Sequence, residues 1–299
     1  MDQAQRLREY MNQLNGTKSP AKPPAASRVI TITSGKGGVG KSNFTLNFAL
    51  GLKAAGKRVI ILDLDLSTAN INILMGITPR YNLVDVLHQR QGIWDVLETG
   101  TSGIEYIAGG LEIDDLMQLD DQTTAFFANQ IQELQSSTDF ILIDTGAGVS
   151  KELVDIILAS DETIMVTTPE PTSMADSYAV LKTVLQFTDQ KPAVRLLVNR
   201  AQNYREAAET AKVLQSTCRN FLKLELKLLG SLMEDSHVRQ AVRAQTPFYA
   251  AYPNSTASKS IKQIVYSYLP DLDEVSVTAA PPAGIRGFFE KIRSFGKSS

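Results

Sequence analysis

Apolar and polar positions along this chain fall into blocks whose period switches. Val29-Ile-Thr-Ile-Thr33, Val59-Ile-Ile-Leu62 and Phe140-Ile-Leu-Ile143 are short runs, rich in β-branched residues and apolar almost throughout. Such runs predict strands covered on both faces, the habit of parallel sheets. Ile104–Ala108, Glu162–Thr168, Val194–Asn199 and Leu224–Leu229 predict further strands. Between them lie stretches of helical period: Asn43–Leu52, Asp121–Gln135, Lys151–Ala159, Ser173–Phe187, Glu206–Asn220, Ser236–Ala244 and Ser258–Tyr268. Shorter helices are expected near Asn82–His88 and Gly92–Leu97, and a loop over Leu66–Met75. The alternation predicts an α/β fold: one domain over residues 28–269, a mostly parallel twisted sheet flanked by helices on both faces.

The two ends read differently. Residues 1–15 place Ala4, Leu7, Met11 and Leu14 at helical spacing behind an Asp2 cap. The stretch completing residues 1–27 carries Pro20, Pro23 and Pro24 and predicts a flexible linker. An apolar stripe beyond such a linker predicts a partner-binding arm. Residues 270–284 read as a second linker. In residues 285–299, Ile285, Phe288, Phe289, Ile292 and Phe295 share one helical face, with Arg286, Lys291, Arg293 and Lys297 on or beside the other. A basic, aromatic-rich amphipathic helix predicts a membrane-surface anchor in preference to a last core helix. A single short copy binds marginally, and two presented together bind firmly.

Composition narrows this. The chain has 299 residues, 43% of them hydrophobic, enough for one large core. A formal net charge of −2 gives no general pull toward nucleic acid, and none is expected as a partner. The one cysteine, Cys218, excludes an internal disulfide and a multi-cysteine metal site, and fits a reducing compartment. No stretch resembles a signal peptide or reaches membrane-spanning length. The expectation is a cytoplasmic chain, peripheral on the inner face of the membrane.

The chemistry concentrates after the first strand, in Gly35-Lys36-Gly37-Gly38-Val39-Gly40-Lys41-Ser42. Strand, glycine loop and helix start form a phosphate cradle: backbone N–H groups converge and the helix dipole adds positive potential. Lys41 is placed to reach the β- and γ-phosphates and the Ser42 hydroxyl to hold Mg²⁺. Carboxylates at the C-terminal ends of neighbouring strands can handle metal and water. Asp144, with Gly146 behind it, is the candidate outer Mg²⁺ ligand. Asp65 is the candidate for a metal contact and for orienting the attacking water. Asp63 is expected to face away and to serve structure. The late strand ends in Asn199-Arg200-Ala201-Gln202, without the second carboxylate that pairs guanine, so ATP is favoured. Asn199 is a candidate for the adenine amino group, and Arg200 for stacking on the base or pairing with the backbone. His88, His237 and Trp94 read as surface or packing residues.

Lys36 sits directly after the first glycine, where an ordinary phosphate loop needs no lysine. From the loop's outer edge it is better placed to reach a nucleotide in a facing subunit than its own. Gly35–Ser42 thereby resembles the deviant phosphate loop of the MinD/ParA ATPases, whose extra lysine completes the partner's site in a face-to-face dimer. Asp63–Asn70, Asp144–Gly148 and Thr168–Ser173 resemble that family's two switches and its dimer-facing loop. The resemblance puts Lys36, Asn70 and Glu170 at an ATP-dependent homodimer interface. Asp2, Gln3, Ala4, Leu7 and Arg8 further resemble the opening segment of the FlhG family (FleN, YlxH), regulators of flagellar number and placement. There the segment stimulates FlhF, a GTPase of the signal-recognition-particle type. The resemblance also implies binding to flagellar switch-complex (C-ring) proteins. The expected activity is ATP hydrolysis, weak until the chain dimerises on a membrane or is stimulated, with ATP and Mg²⁺ as cofactors. A MinD-type division ATPase, a DNA-partitioning ATPase and a nucleotide-gated adaptor are the alternatives.

Overall fold

A computed structural model describes residues 27–65, 70–110, 121–276 and 283–296. The arm residues Asp2, Gln3, Ala4, Leu7 and Arg8 lie outside these, as does the side chain of Asn70. The strands are β1 (Arg28–Thr33), β2 (Val59–Leu64), β3 (Glu98–Thr99), β4 (Glu105–Ala108), β5 (Phe140–Thr145), β6 (Glu162–Thr167), β7 (Val194–Ala201) and β8 (Lys227–Met233). They form one sheet in the order β3-β4-β2-β5-β1-β6-β7-β8. Every pairing is parallel except β3 with β4. The mostly parallel sheet is as the apolar runs predict.

Side chains alternate across it. Ile30, Ile32, Ile61 and Leu142 point to one face, against α1 (Lys41–Ala54) and the long helix α10 (Thr256–Ser276). Val29, Ile60, Ile141 and Ile143 point to the other, against α4 (Asp121–Ser137), α5 (Lys151–Ala159) and α11 (Gly284–Gly296). The remaining helices are α2 (Asn70–Met75), α3 (Leu83–Leu87), α6 (Pro171–Val184), α7 (Tyr204–Thr217), α8 (Ser236–Arg243) and α9 (Phe248–Ala251). α1 is buried almost all round, with Phe44, Leu46, Phe48 and Leu52 at 1% exposure or less. At Gly51 a Cβ would come within 2.8 Å of Ile261, so glycine lets α10 approach α1 closely. At the opposite end of the sheet from the glycine loop, Glu162 is buried. It accepts from Arg195 Nε at 2.5 Å and from the Tyr268 hydroxyl, which satisfies a charge that would be costly alone.

Four local expectations change. Gly92–Leu97 is a turn, not a helix: Asp95 closes it by accepting from Gly92, and Ile93 and Val96 are buried by that single turn. Part of Leu66–Met75 is the helix α2, whose Ile71 N–H donates to Asp63 Oδ2. The strand read at Leu224–Leu229 starts at Lys227. The last domain helix carries through Pro270 to Ser276, into the stretch read as linker.

The largest correction concerns α11. The sequence pattern predicts an exposed apolar face; here that face is buried. Ile285, Phe288, Phe289 and Ile292 are 6% exposed or less and lie between α4 and α5, with Phe295 packed against the same cluster. Phe289 meets Phe127 edge to face at 5.0 Å. Polar contacts hold the helix too: Ala283 N–H donates to Asp161 Oδ1, and Arg286 donates from its N–H to Gln135 Oε1 and from Nη1 to Gln132 Oε1. The physical reason is that an apolar stripe demands cover without specifying which, and α4 and α5 supply it. No helix among the described residues is long and apolar enough to cross a membrane.

Candidate functional site

The glycine loop joins β1, at the centre of the sheet, to α1. Three of its glycines are required by geometry. Gly38 and Gly40 have φ +77° and +92°, the left-handed region, where the N–H can turn inward. At Gly35 a Cβ would lie 2.2 Å from the backbone of Asp176, so only glycine allows α6 so near the loop. Gly148 N–H donates to Ser34 O at 3.1 Å, tying the loop after β5 to the loop after β1. Ser150, two residues on, caps α5.

Inside the cradle, Lys41 is almost fully buried. Its Nζ lies 3.1 Å from Asp144 Oδ1 and 3.8 Å from Asp65 Oδ2, and donates to Ser42 Oγ at 3.2 Å. Asp144 Oδ1 also accepts from Thr45 Oγ1 at 2.8 Å. Burial raises the Asp144 pKa, against the opposing pull of Lys41, Ser42 and Thr45. Asp144 Oδ2 is buried and has no partner among the described residues. An orphaned carboxylate oxygen beside a hydroxyl and a lysine is a donor set that fits a hard, oxygen-seeking cation such as Mg²⁺. The structure thus brings Lys41, Ser42, Asp65 and Asp144 together.

Thr45, one turn along α1, is a site residue the sequence reading missed. Only the fold brings it to Asp144, and no motif marks it.

Asp63 corrects one expectation. Residues two apart on a strand share a face, and Asp63 stands in register with Asp144, so it does not face away. Its carboxylate is occupied instead: Oδ1 accepts from Asp65 N–H and Oδ2 from Ile71 N–H. Burial first, then the nearby Asp144 charge, pushes its pKa up from 3.8 to about 7.

Asn199 and Arg200 brace the loop from outside. Asn199 Nδ2 donates to Val39 O at 2.7 Å, and its Oδ1 accepts from Arg200 N–H. Arg200 reaches Gly38 O and Glu234. Both line a cavity of about 350 Å³ that runs from Gly38 and Gly40 past Asn43 and Phe44 to Arg239 and Phe248. Its position beside the cradle and its partly apolar wall suit a nucleotide's base and sugar. Glu234, Asp235, Arg239 and Arg243 also line it and were not anticipated. Lys36 stands outside. Its Nζ lies 2.7 Å from Glu170 Oε2 and 3.2 Å from Thr172 Oγ1, and both members of the pair are exposed.

Comparison with known proteins agrees with this geometry. A family model described as ParA: NUBPL iron-transfer P-loop NTPase matches residues 25–269. Antiactivator FleN of Pseudomonas aeruginosa is 32% identical over 265 residues, covering 89% of this chain and 93% of that protein. The chain belongs to the FleN/YlxH branch of the MinD/ParA family of P-loop ATPases. Flagellum site-determining protein YlxH of Helicobacter pylori is 29% identical, covering 98% of this chain and 99% of its own length. For the fold, the septum site-determining protein MinD of Pyrococcus horikoshii, solved with Mg-ADP, superposes with a TM-score of 0.65. It is 24% identical, over 85% of this chain and all of that one. ATP hydrolysis is the activity of this family. The iron transfer in the family description finds no cysteine set here: Cys218 is the only cysteine, and burial pushes its thiol up to about 11.

Proposed function

We propose that the chain is a nucleotide-controlled switch that governs flagellar number and placement. It binds ATP with Mg²⁺, pairs face to face with a second copy, and hydrolyses the nucleotide to end that state. The observation carrying this reading is the contrast between two lysines five positions apart in the chain. Lys41 is enclosed with Asp144 and Asp65, while Lys36, in the same loop, is exposed and, among the described residues, held by Glu170 and Thr172.

In this reading the backbone of Gly35–Gly40 and Lys41 hold the phosphates. The Ser42 hydroxyl and Asp144 hold the metal, with Asp65 beside them. When bound, Mg²⁺ neutralises charge developing on the phosphate oxygens. Asp65 orients the attacking water. Lys36 leaves Glu170 and reaches into the partner's site, which is incomplete without it. Asn70 and Glu170 border the same interface.

Residues 285–299 serve as the membrane element. Docked between α4 and α5, α11 hides its apolar face. The ATP dimer releases two such helices together, which turns marginal lipid affinity into firm attachment. Residues 1–15 stimulate an FlhF-type GTPase, and C-ring proteins are the further partners. The test is co-sedimentation of the full chain with anionic vesicles in ATP and in ADP, with and without residues 285–299. Pelleting in ATP that the truncation abolishes supports the reading. Equal pelleting of the truncated chain contradicts it. For the arm, a peptide of residues 1–15 must raise the turnover of an FlhF-type GTPase.

A further inference from the structure

We propose that the groove between α4 and α5 is a shared seat, and that the chain's own N-terminal arm, residues 1–15, occupies it when α11 leaves. Only the trigger, release of α11 to a membrane, rests on the reading above; the alternative occupancy rests on three observations.

The first is the groove. Phe127, Ile131, Leu134, Ile156 and Ala159 are buried within the cluster that receives α11. Departure of α11 uncovers a continuous apolar trough, which a folded protein rarely leaves open to water.

The second is the match between the two ends. α11 seats Ile285, Phe288, Phe289, Ile292 and Phe295; the arm presents Ala4, Leu7, Met11 and Leu14 at the spacings of Ile285, Phe288, Ile292 and Phe295, and sets Arg8 at the position of Phe289, which meets Phe127. Superposing these stripes sets Gln5 on Arg286 and Glu9 on Glu290. A helix carrying the arm's stripe therefore offers apolar side chains at four of α11's five seated positions, and at the fifth a guanidinium that can lie against the Phe127 ring.

The third is where the arm leaves the domain. One carboxylate, Asp161, accepts from Val29 N–H through Oδ2 and from Ala283 N–H through Oδ1, both at 2.9 Å. The start of β1 and the start of α11 thus meet at the same end of the groove. The dozen or so residues from 16 to 27 span up to roughly 40 Å when extended. α11 is about 20 Å long, so the arm reaches the trough in either direction. Tethered this closely, it outcompetes a free helix of equal affinity. An arm seated in the groove is withheld from every other partner, so the two ends of the chain report opposite states.

Disulfide trapping in the full chain tests this. The shared register puts position 5 beside Gln132, which now accepts from Arg286 Nη1 at 3.0 Å. Gln5→Cys is combined with Gln132→Cys, and Phe288→Asp with Ile292→Asp keeps α11 out of the groove without membranes. The intrachain disulfide is expected to form at least about tenfold faster than in a Gln5→Cys/Glu209→Cys control. Adding Leu7→Asp and Met11→Asp should return it to the control rate. A rate equal to the control in a chain that still binds nucleotide overturns the inference, as does a disulfide formed only between chains. Should the aspartate variant fail to bind nucleotide, the cysteine pair is read with native α11, ATP and phosphatidylglycerol vesicles. A cross-link in the pelleted fraction supports the shared seat, and its absence there overturns it. Failure to pellet contradicts the membrane reading instead, and the cysteine pair is then read in the chain lacking residues 285–299, where cross-linking faster than the control supports the shared seat and a rate equal to the control overturns it.

Discussion

Lys36 Nζ lies 2.7 Å from Glu170 Oε2 in the same chain. The resemblance to deviant phosphate loops assigns both residues to an intersubunit interface, and here each holds the other. The Lys36 contact also draws the Glu170 pKa below its ordinary value. Both side chains are exposed, so the pair adds little to stability and can open readily. Glu170→Gln should leave the melting temperature within experimental error while shifting the ATP-dependent dimer equilibrium. Sedimentation velocity in ATP checks it, and an unchanged dimer fraction speaks against the latch.

Thr45 is expected to position Asp144. Thr45→Val removes a buried donor and leaves Asp144 Oδ1 with fewer partners, at a cost of about 1–3 kcal/mol in urea unfolding. The Mg²⁺ concentration giving half-maximal turnover should rise. Thr45→Ser, which keeps the hydroxyl, should restore it; a serine variant as impaired as valine would make the role one of packing.

Asp63 makes stability depend on pH. Its folded pKa of about 7 stands above its ordinary 3.8, so between those values the folded state holds a proton that the unfolded chain has released. Its stabilising contribution is full below about pH 4, falls as pH rises toward 7, and is lost above. Asp63→Asn removes the titration. The unfolding free energy of the native chain should therefore decline more steeply from pH 4.5 to 7.5 than that of the variant. Parallel curves would contradict the assignment.

The seat of α11 can be weakened without touching its apolar face. Gln132→Ala with Gln135→Ala deletes the acceptors for Arg286 Nη1 and N–H. At about 1 kcal/mol for each of the two bonds, vesicle binding in ADP should rise by roughly thirtyfold. Binding in ATP should change little. No change in ADP would mean that docking does not restrain the helix.

Much of this molecule was legible before its structure, for local reasons. β1, the glycine loop and α1 follow one another in sequence, and the period of apolar residues specifies each. Lys41, Ser42, Asp65 and Asp144 could be grouped because loops at the C-terminal ends of adjacent parallel strands converge. What stayed hidden depends on contacts across the chain. Thr45 and Asp144 are 99 positions apart. α2 owes its first turn to the Asp63 carboxylate, which a reading of residues 66–75 alone does not include. The α11 stripe announces the need for cover, while the cover itself is assembled from α4 and α5, more than a hundred residues earlier.

The central claim is that one chain's Lys36 serves the other chain's nucleotide, and a mixing experiment tests it most directly. Lys36→Gln should keep an intact pocket but lack the reaching lysine, lowering turnover by about 10³-fold or more, as loss of an arginine finger does. Asp65→Ala should keep that lysine and lose its own hydrolysis. Mixed in equal amounts with ATP and vesicles, the two inactive variants should recover turnover that neither has alone, because the Asp65→Ala chain lends Lys36 to its partner. A mixture as inactive as its components, while mixed dimers form, would show that Lys36 acts within its own chain and would contradict the account.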